Sequence, residues 1–222
     1  MAPRDDFVTF DCYGTLIDWE QGIAEAFAAL AARLHAPVDT KRALALYARI
    51  EPAVQAESFQ SYRGVLTETA RRVAAELGWA LPEAHAGFLA DSVPYWRPFP
   101  DTNRALWRLA EAGYRLGILS NVDDALLKWT RRHFLARFEV VVTAEQVGSY
   151  KPAPGHFVAA RNLIGARPWL HAAQSYFHDI APARALGIQT AWINRKGDVA
   201  PDGGKPDREC RTLGDLADWL AP

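Results

Sequence analysis

The chain has 222 residues, half of them apolar, and a formal net charge of −1 at pH 7; it can build a sizeable core and has no long-range field for a polyanion, which argues against nucleic acid as a partner. Two cysteines are too few for a disulfide framework and fit a reducing, cytoplasmic setting. No apolar run reaches the ~18 residues of a membrane span, and the first residues lack a basic region followed by an apolar one, so a soluble, unprocessed chain is expected with no membrane partner.

Phe7 to Phe10 is a short run of apolar and β-branched residues, broken by Asp11, Cys12 and Gly14, and it reads as a buried strand. Asp11 therefore stands where a strand ends. In an open α/β sheet the carboxyl ends of strands are where ligands bind, and a carboxylate placed there can act as a nucleophile.

From about Glu20 to Asp91 the pattern becomes helical. Ile23, Phe27, Leu30 and Leu34 recur at helical spacing, as do Leu66, Thr69, Val73 and Leu77, with Ser61 as N-cap and Gly78 as stop. Between them, Thr40 to roughly Phe59 reads as a helix through Leu46, Ile50 and Val54, with a kink or interruption expected at Pro52. A shorter helix follows Pro82, and the proline-rich stretch from Val93 to Pro100 is the return crossing. No strand signal breaks this block.

Beyond Asp101 helices and apolar runs alternate. Asp101 caps a helix ending at Gly113, Tyr114 to Leu119 reads as a strand, Asp123 to Phe134 as a helix, and Val140 to Val142 as a strand. Pro154 to Leu163 is helical, Leu170 to Gln174 a weak strand, Pro182 to Leu186 a short helix, and Thr190 to Ile193 a strand. The polar run Asn194 to Arg211 is a loop before a final helix, Leu213 to Leu220. This alternation predicts an α/β fold: a doubly wound parallel sheet from residues 1–18 and 99–222, with a helical cap inserted at 19–98 and closing over the strand ends.

Three further polar groups follow predicted strands and so share an edge of the sheet with Asp11: Ser120 with Asn121, Lys151, and Asp179. Taken singly, each has an ordinary structural explanation, as an Asx-turn, a helix cap or a solvated lysine. Their convergence on one edge is what suggests a site. His35, His85, His133, His156 and His171 show no metal-ligand spacing and are expected in structural or surface roles.

The run Asp11-Cys12-Tyr13-Gly14-Thr15-Leu16 resembles the first motif of the haloacid dehalogenase-like hydrolases, a family with a Rossmann-like core. Leu119-Ser120-Asn121 resembles its second motif, Tyr150-Lys151-Pro152 its third, and Asp179 the acid of its fourth. Trp192-Ile193-Asn194-Arg195 is similar to the last strand of its dehalogenases. The phosphatase branches carry a second aspartate two residues after the first, beside a Mg²⁺ site, where this chain has Tyr13; they carry another acid where this chain has Ser175. Both departures resemble the 2-haloacid dehalogenase branch, which uses no metal or other cofactor.

The resemblance implies a small 2-halo carboxylate as substrate. Asp11 would attack carbon with inversion and form an ester, Lys151 would keep Asp11 ionised, and Ser120, Asn121 and Thr15 would hold the substrate carboxylate beside Cys12 and Tyr13. Asp179 with Lys151 would position the water that hydrolyses the ester. A cap arginine would receive the halide, and Arg49 is the first choice with Arg63 second. Gln174 and Tyr176 stand where the dehalogenases have a serine and an asparagine, with Tyr176 expected to contact the substrate; Phe157 replaces a tyrosine, and His178 could add base chemistry. A homodimer is an expectation from the resemblance alone. The alternatives are a phosphomonoesterase, a hydrolase of another small carbon electrophile, and a binding module without turnover.

Overall fold

The computed structural model describes residues 5–201 and 203–222. Strands β1 (Phe7–Phe10), β2 (Arg115–Ser120), β3 (Val140–Thr143), β4 (Trp169–Ala173), β5 (Gln189–Ile193) and β6 (Arg208–Cys210) form a six-stranded, all-parallel sheet in the order β3-β2-β1-β4-β5-β6. All four residues of β1 are buried, as a strand with a neighbour on each side and helices over the sheet requires. From β1 the chain walks outward through β2 to β3, then returns to β4 and walks the other way. The order therefore reverses between β1 and β4, and the crevice of a doubly wound sheet lies at the carboxyl ends of those two strands.

Helices α1 (Trp19–Leu34), α2 (Thr40–Glu57), α3 (Tyr62–Glu76) and α4 (Phe88–Ser92) occupy the predicted helical stretch. They are followed by α5 (Thr102–Glu111), α6 (Asp124–Thr130), α7 (Ala144–Val147), α8 (Gly155–Ile164), α9 (Ala181–Ala185) and α10 (Leu213–Leu220). The chain divides into two compact units: one comprises residues up to Ile17 with Pro98–Asn121 and Arg132–Pro222, the other Asp18–Arg97 with Val122–Arg131. Helix α6 thus belongs with the helical unit, although the sequence placed it in the core.

Inside the helical unit, local chemistry sets the helix starts. Asp18 accepts from Gln21 N, Asp39 from Lys41 and Arg42 N, and Ser61 from Gly64 N, each satisfying amides that the first turn leaves free. α2 runs through Pro52 without the expected interruption. A proline costs a helix one backbone bond, and the buried Tyr47, Ile50 and Val54 hold the segment on either side. Asp123, at the start of α6, sends its carboxylate to Tyr62 N (2.7 Å) and Arg63 N (2.8 Å), so it caps α3 rather than its own helix.

In the sheet unit, Phe7, Leu119, Val140, Val142, Phe157, Ile164, Trp169 and Ile188 form a buried core. The structure corrects the sequence reading in three further places. β6 lies inside the stretch read as loop; it is a three-residue edge strand with two exposed residues, too short for a period to show. α6 ends at Thr130, four residues before the predicted Phe134, and gives way to a 3₁₀ turn at Arg131–His133. Asp101 sits at the start of α5 but its carboxylate is spent elsewhere, on Arg195 and on Leu213 N.

Candidate active site

The turn after β1 is built to present Asp11. Gly14 has φ +96°, a left-handed conformation that a side chain would strain, and its N–H donates to Ile17 O. The Cys12 carbonyl accepts from both Leu16 and Ile17 N–H, closing the loop on itself. Arg195 reaches across to donate to Thr15 O (3.0 Å) while paired with Asp101 and lying 3.9 Å over the Phe99 ring. The similarity of Trp192 to Arg195 to a family strand was visible in the sequence, but nothing there signalled that Arg195 clamps the nucleophile turn.

The Asp11 side chain is buried, and both of its oxygens are held. Thr15 Oγ1–H donates to Oδ2 (2.9 Å) and in turn accepts from Gln174 N–H (2.9 Å). Lys151 Nζ donates to Asp11 Oδ1 (2.9 Å), Asp179 Oδ1 (2.6 Å) and Leu119 O (2.8 Å). An ammonium has three hydrogens and these contacts use all of them, which makes a lysine with 1% side-chain exposure tolerable. Burial works against the charge on Lys151, yet the two carboxylates hold its pKa above the ordinary value. Burial likewise opposes ionisation of Asp179, but Lys151 and His171 keep its carboxyl well below the usual range. Asp11 moves the opposite way: burial, with Asp179 close by, raises it against the pull of Lys151 and Thr15.

Asn121 does a different job from the substrate contact expected of it. Its Oδ1 accepts from Lys151 N–H (2.7 Å) and its Nδ2 donates to Lys151 O (3.0 Å), so the amide grips the lysine backbone and sets where the ammonium points. Tyr176 is also redirected. It is buried edge-to-face against Trp192, with centroids 5.1 Å apart, and its hydroxyl accepts from Arg184. The Ser120 hydroxyl is fully buried and has no hydrogen-bond partner among the described residues. Cys12 is fully buried, with burial pushing its thiol pKa well up, and Tyr13 beside it is half-buried.

Arg49 and Arg63 lie on exposed surface of the helical unit, each in an ion pair: Arg49 with Glu76 at 2.7 Å and Arg63 with Asp91 at 2.8 Å, the arginine side chains 61% and 53% exposed. Neither makes a buried cationic pocket. Glu51 of the same unit is half-buried and hydrogen-bonded to Gln55 and Tyr62, with its pKa raised by desolvation.

Ser175 starts the turn Tyr176–Ile180: its hydroxyl accepts from His178 N–H and lies 3.0 Å from His178 Nδ1. Burial lowers the His178 pKa. Tyr13 and Ser175 stand where the phosphatases have acids, and the Oδ1 atoms of Asp11 and Asp179 both rest on Lys151. Among the described residues no group of three or more His, Cys, Asp or Glu could hold a metal ion.

Two histidines set aside as structural turn out to adjoin the site. His156 Nε2 lies 3.0 Å from Ser120 O, and burial next to Lys151 lowers its pKa to about 4. His171, on β4, lies 3.0 Å from Asp179 Oδ1 through Nε2 and 2.8 Å from Thr9 Oγ1 through Nδ1. A histidine inside an apolar run carries no sequence signal of such a partner.

A haloacid dehalogenase-like hydrolase family model matches residues 6–172. An (S)-2-haloacid dehalogenase of Pseudomonas putida is 30% identical over 166 residues, covering 73% of this chain and 74% of that protein. One from Pseudomonas sp. strain YL is 26% identical over 213 residues, covering 93% and 90%. The crystal structure of a defluorinating L-2-haloacid dehalogenase superposes with a TM-score of 0.85 at 26% identity, covering 98% of this chain and 95% of the other. No helix among the described residues is long and apolar enough to cross a membrane.

Proposed function

The chain belongs to the haloacid dehalogenase-like hydrolase family, and on that premise we propose that it hydrolyses the carbon–halogen bond of small 2-halo carboxylic acids through an ester on Asp11, without a metal. The observation that carries this reading is the setting of Asp11: a buried carboxylate at the sheet's switch point, oriented by Thr15 and charge-matched by a lysine with no hydrogen to spare. Such a carboxylate is desolvated and fixed in direction, the condition for in-line attack at carbon.

In the first step Asp11 displaces halide from C2 and the centre inverts. The substrate carboxylate would take a bond from the unpaired Ser120 hydroxyl. In the second step water adds to the Asp11 acyl carbon, and one of its protons passes to Asp179 and on to the departing 2-hydroxy acid. The bond between the acyl carbon and the oxygen that Asp11 gave to C2 breaks, that oxygen leaves with the 2-hydroxy acid, and Asp11, now holding an oxygen from water, loses the remaining proton to become a carboxylate again. Tyr13 and Ser175 support the metal-free form, because a phosphatase route would draw on carboxylates this chain lacks at those positions.

The test is halide release from chloroacetate and from each enantiomer of 2-chloropropionate with EDTA present. Chelator-resistant release favouring one enantiomer is the expected result. No release, with phosphatase activity on added Mg²⁺, would replace this reading with the phosphomonoesterase.

A further inference from the structure

His171 is fully buried and sits in register with Thr9 on the neighbouring strand. Strand neighbours in register point their side chains to the same face, so Thr9 and His171 meet side by side. On the other side of Thr9, Gly117 leaves room: a Cβ there would come within 3.0 Å of Thr9 Cγ2 and of Val140 O. Trp169, two residues before His171 on the same face, donates its Nε1–H to Thr9 Oγ1 (2.7 Å). Phe157 closes over the ring edge-to-face at 5.3 Å, so no other group competes for the imidazole from that side.

The donors and acceptors in this line fit one assignment that wastes no hydrogen. The Trp169 indole can only donate. Thr9 Oγ1 accepts from it and has one hydrogen to give, which goes to His171 Nδ1. The ring proton then lies on Nε2 and is donated to Asp179 Oδ1, which already accepts from Lys151. Oδ1 is thereby saturated. Asp179 Oδ2 is buried with no hydrogen-bond partner among the described residues, an orientation that costs free energy unless a ligand or water meets it.

We propose that Trp169, Thr9 and His171 form a relay behind Asp179 that locks its carboxylate, occupying Oδ1 and presenting Oδ2 to the water that hydrolyses the Asp11 ester. His171 is a positioning residue in the second half of the reaction. The inference rests on the dehalogenase reading above, and it replaces the bland one of a core histidine that happens to be satisfied.

The experiment is rapid-quench kinetics on the full-length protein with 2-chloropropionate, following halide and 2-hydroxy acid separately. In His171→Leu the relay predicts a burst of halide at nearly the wild-type rate, then turnover slowed by about 10- to 100-fold as the ester accumulates. KM falls with kcat because deacylation has become limiting. His171→Gln, whose amide can still donate to Asp179, recovers part of the loss. Should the leucine variant fail to fold, Thr9→Val, which removes the proton offered to Nδ1 without changing shape, predicts the same burst with a smaller slowing. A burst and steady state that fall together, or neither changing, overturns the relay while leaving the dehalogenase reading standing. Wild-type protein that releases no halide overturns that reading and the relay with it.

Discussion

Two regions of this chain handle charge in opposite ways. In the helical unit Arg49, Arg63, Arg71 and Arg72 all pair with acids on exposed surface, where water screens the interaction and holding two long side chains together costs entropy. At the sheet ends Asp11, Lys151 and Asp179 are removed from water, and each is held by several directed bonds. Charge is placed where it is cheap in the first case. In the second it is kept where it is costly, which is the signature of a site whose charges do chemistry.

Substitutions should sort by that division. The largest effect belongs to Asp11→Asn, which keeps the shape and removes the nucleophile: turnover falls by more than about 10⁴-fold. An unchanged circular dichroism spectrum with retained activity would break the assignment. Lys151→Met comes next and touches both function and fold. It strands two buried carboxylates, so urea unfolding should show a loss of about 3–5 kcal/mol, the range for breaking a buried pair, together with loss of turnover. A stable, inactive variant would mean that the carboxylates find water.

The pH dependence sharpens the contrast further. Because burial raises the Asp11 pKa and the nucleophile must be ionised, kcat/KM falls as pH drops through a value above that of an ordinary aspartate. His156 gives a separate effect on stability. It ionises near 6.5 when unfolded and at about 4 when folded, so the unfolded chain binds the extra proton between those values. Stability therefore declines as pH falls from about 6.5 toward about 4 and levels off below. His156→Gln, which can still donate to Ser120 O and does not titrate, should flatten the slope in that window; an unaltered slope would assign it to other groups. The smallest effect is expected from Arg49→Ala, with kcat/KM within about twofold of wild type, as for an exposed pair. A large loss of kcat would return Arg49 to the chemistry.

The parts of this division that the sequence showed are those with a local signal. Phe7 to Phe10 and Asp11 were legible because a buried central strand ends in a polar turn with a glycine, and Ser61 and Gly78 marked the limits of α3. Ser120, Lys151 and Asp179 could be placed on the same edge once the strands before them were read. The remainder depends on contacts across the sheet that no spacing encodes. Asn121 grips a backbone 30 positions away, Arg195 ties down Thr15 from 180 positions away, and His171 meets Thr9 only because β4 lies beside β1. β6 escaped because an exposed three-residue edge strand has neither length nor alternation.

The most direct test of the central claim, that Asp11 is the nucleophile, is a single turnover in heavy-oxygen water with enzyme in excess over 2-chloropropionate. Attack by Asp11 sends one of its own oxygens into the first 2-hydroxy acid and takes the heavy atom in exchange. Mass spectrometry should then find the label in the peptide containing Asp11 and an unlabelled product. A labelled product with an unlabelled Asp11 would mean that water attacks carbon directly, and the account would fail.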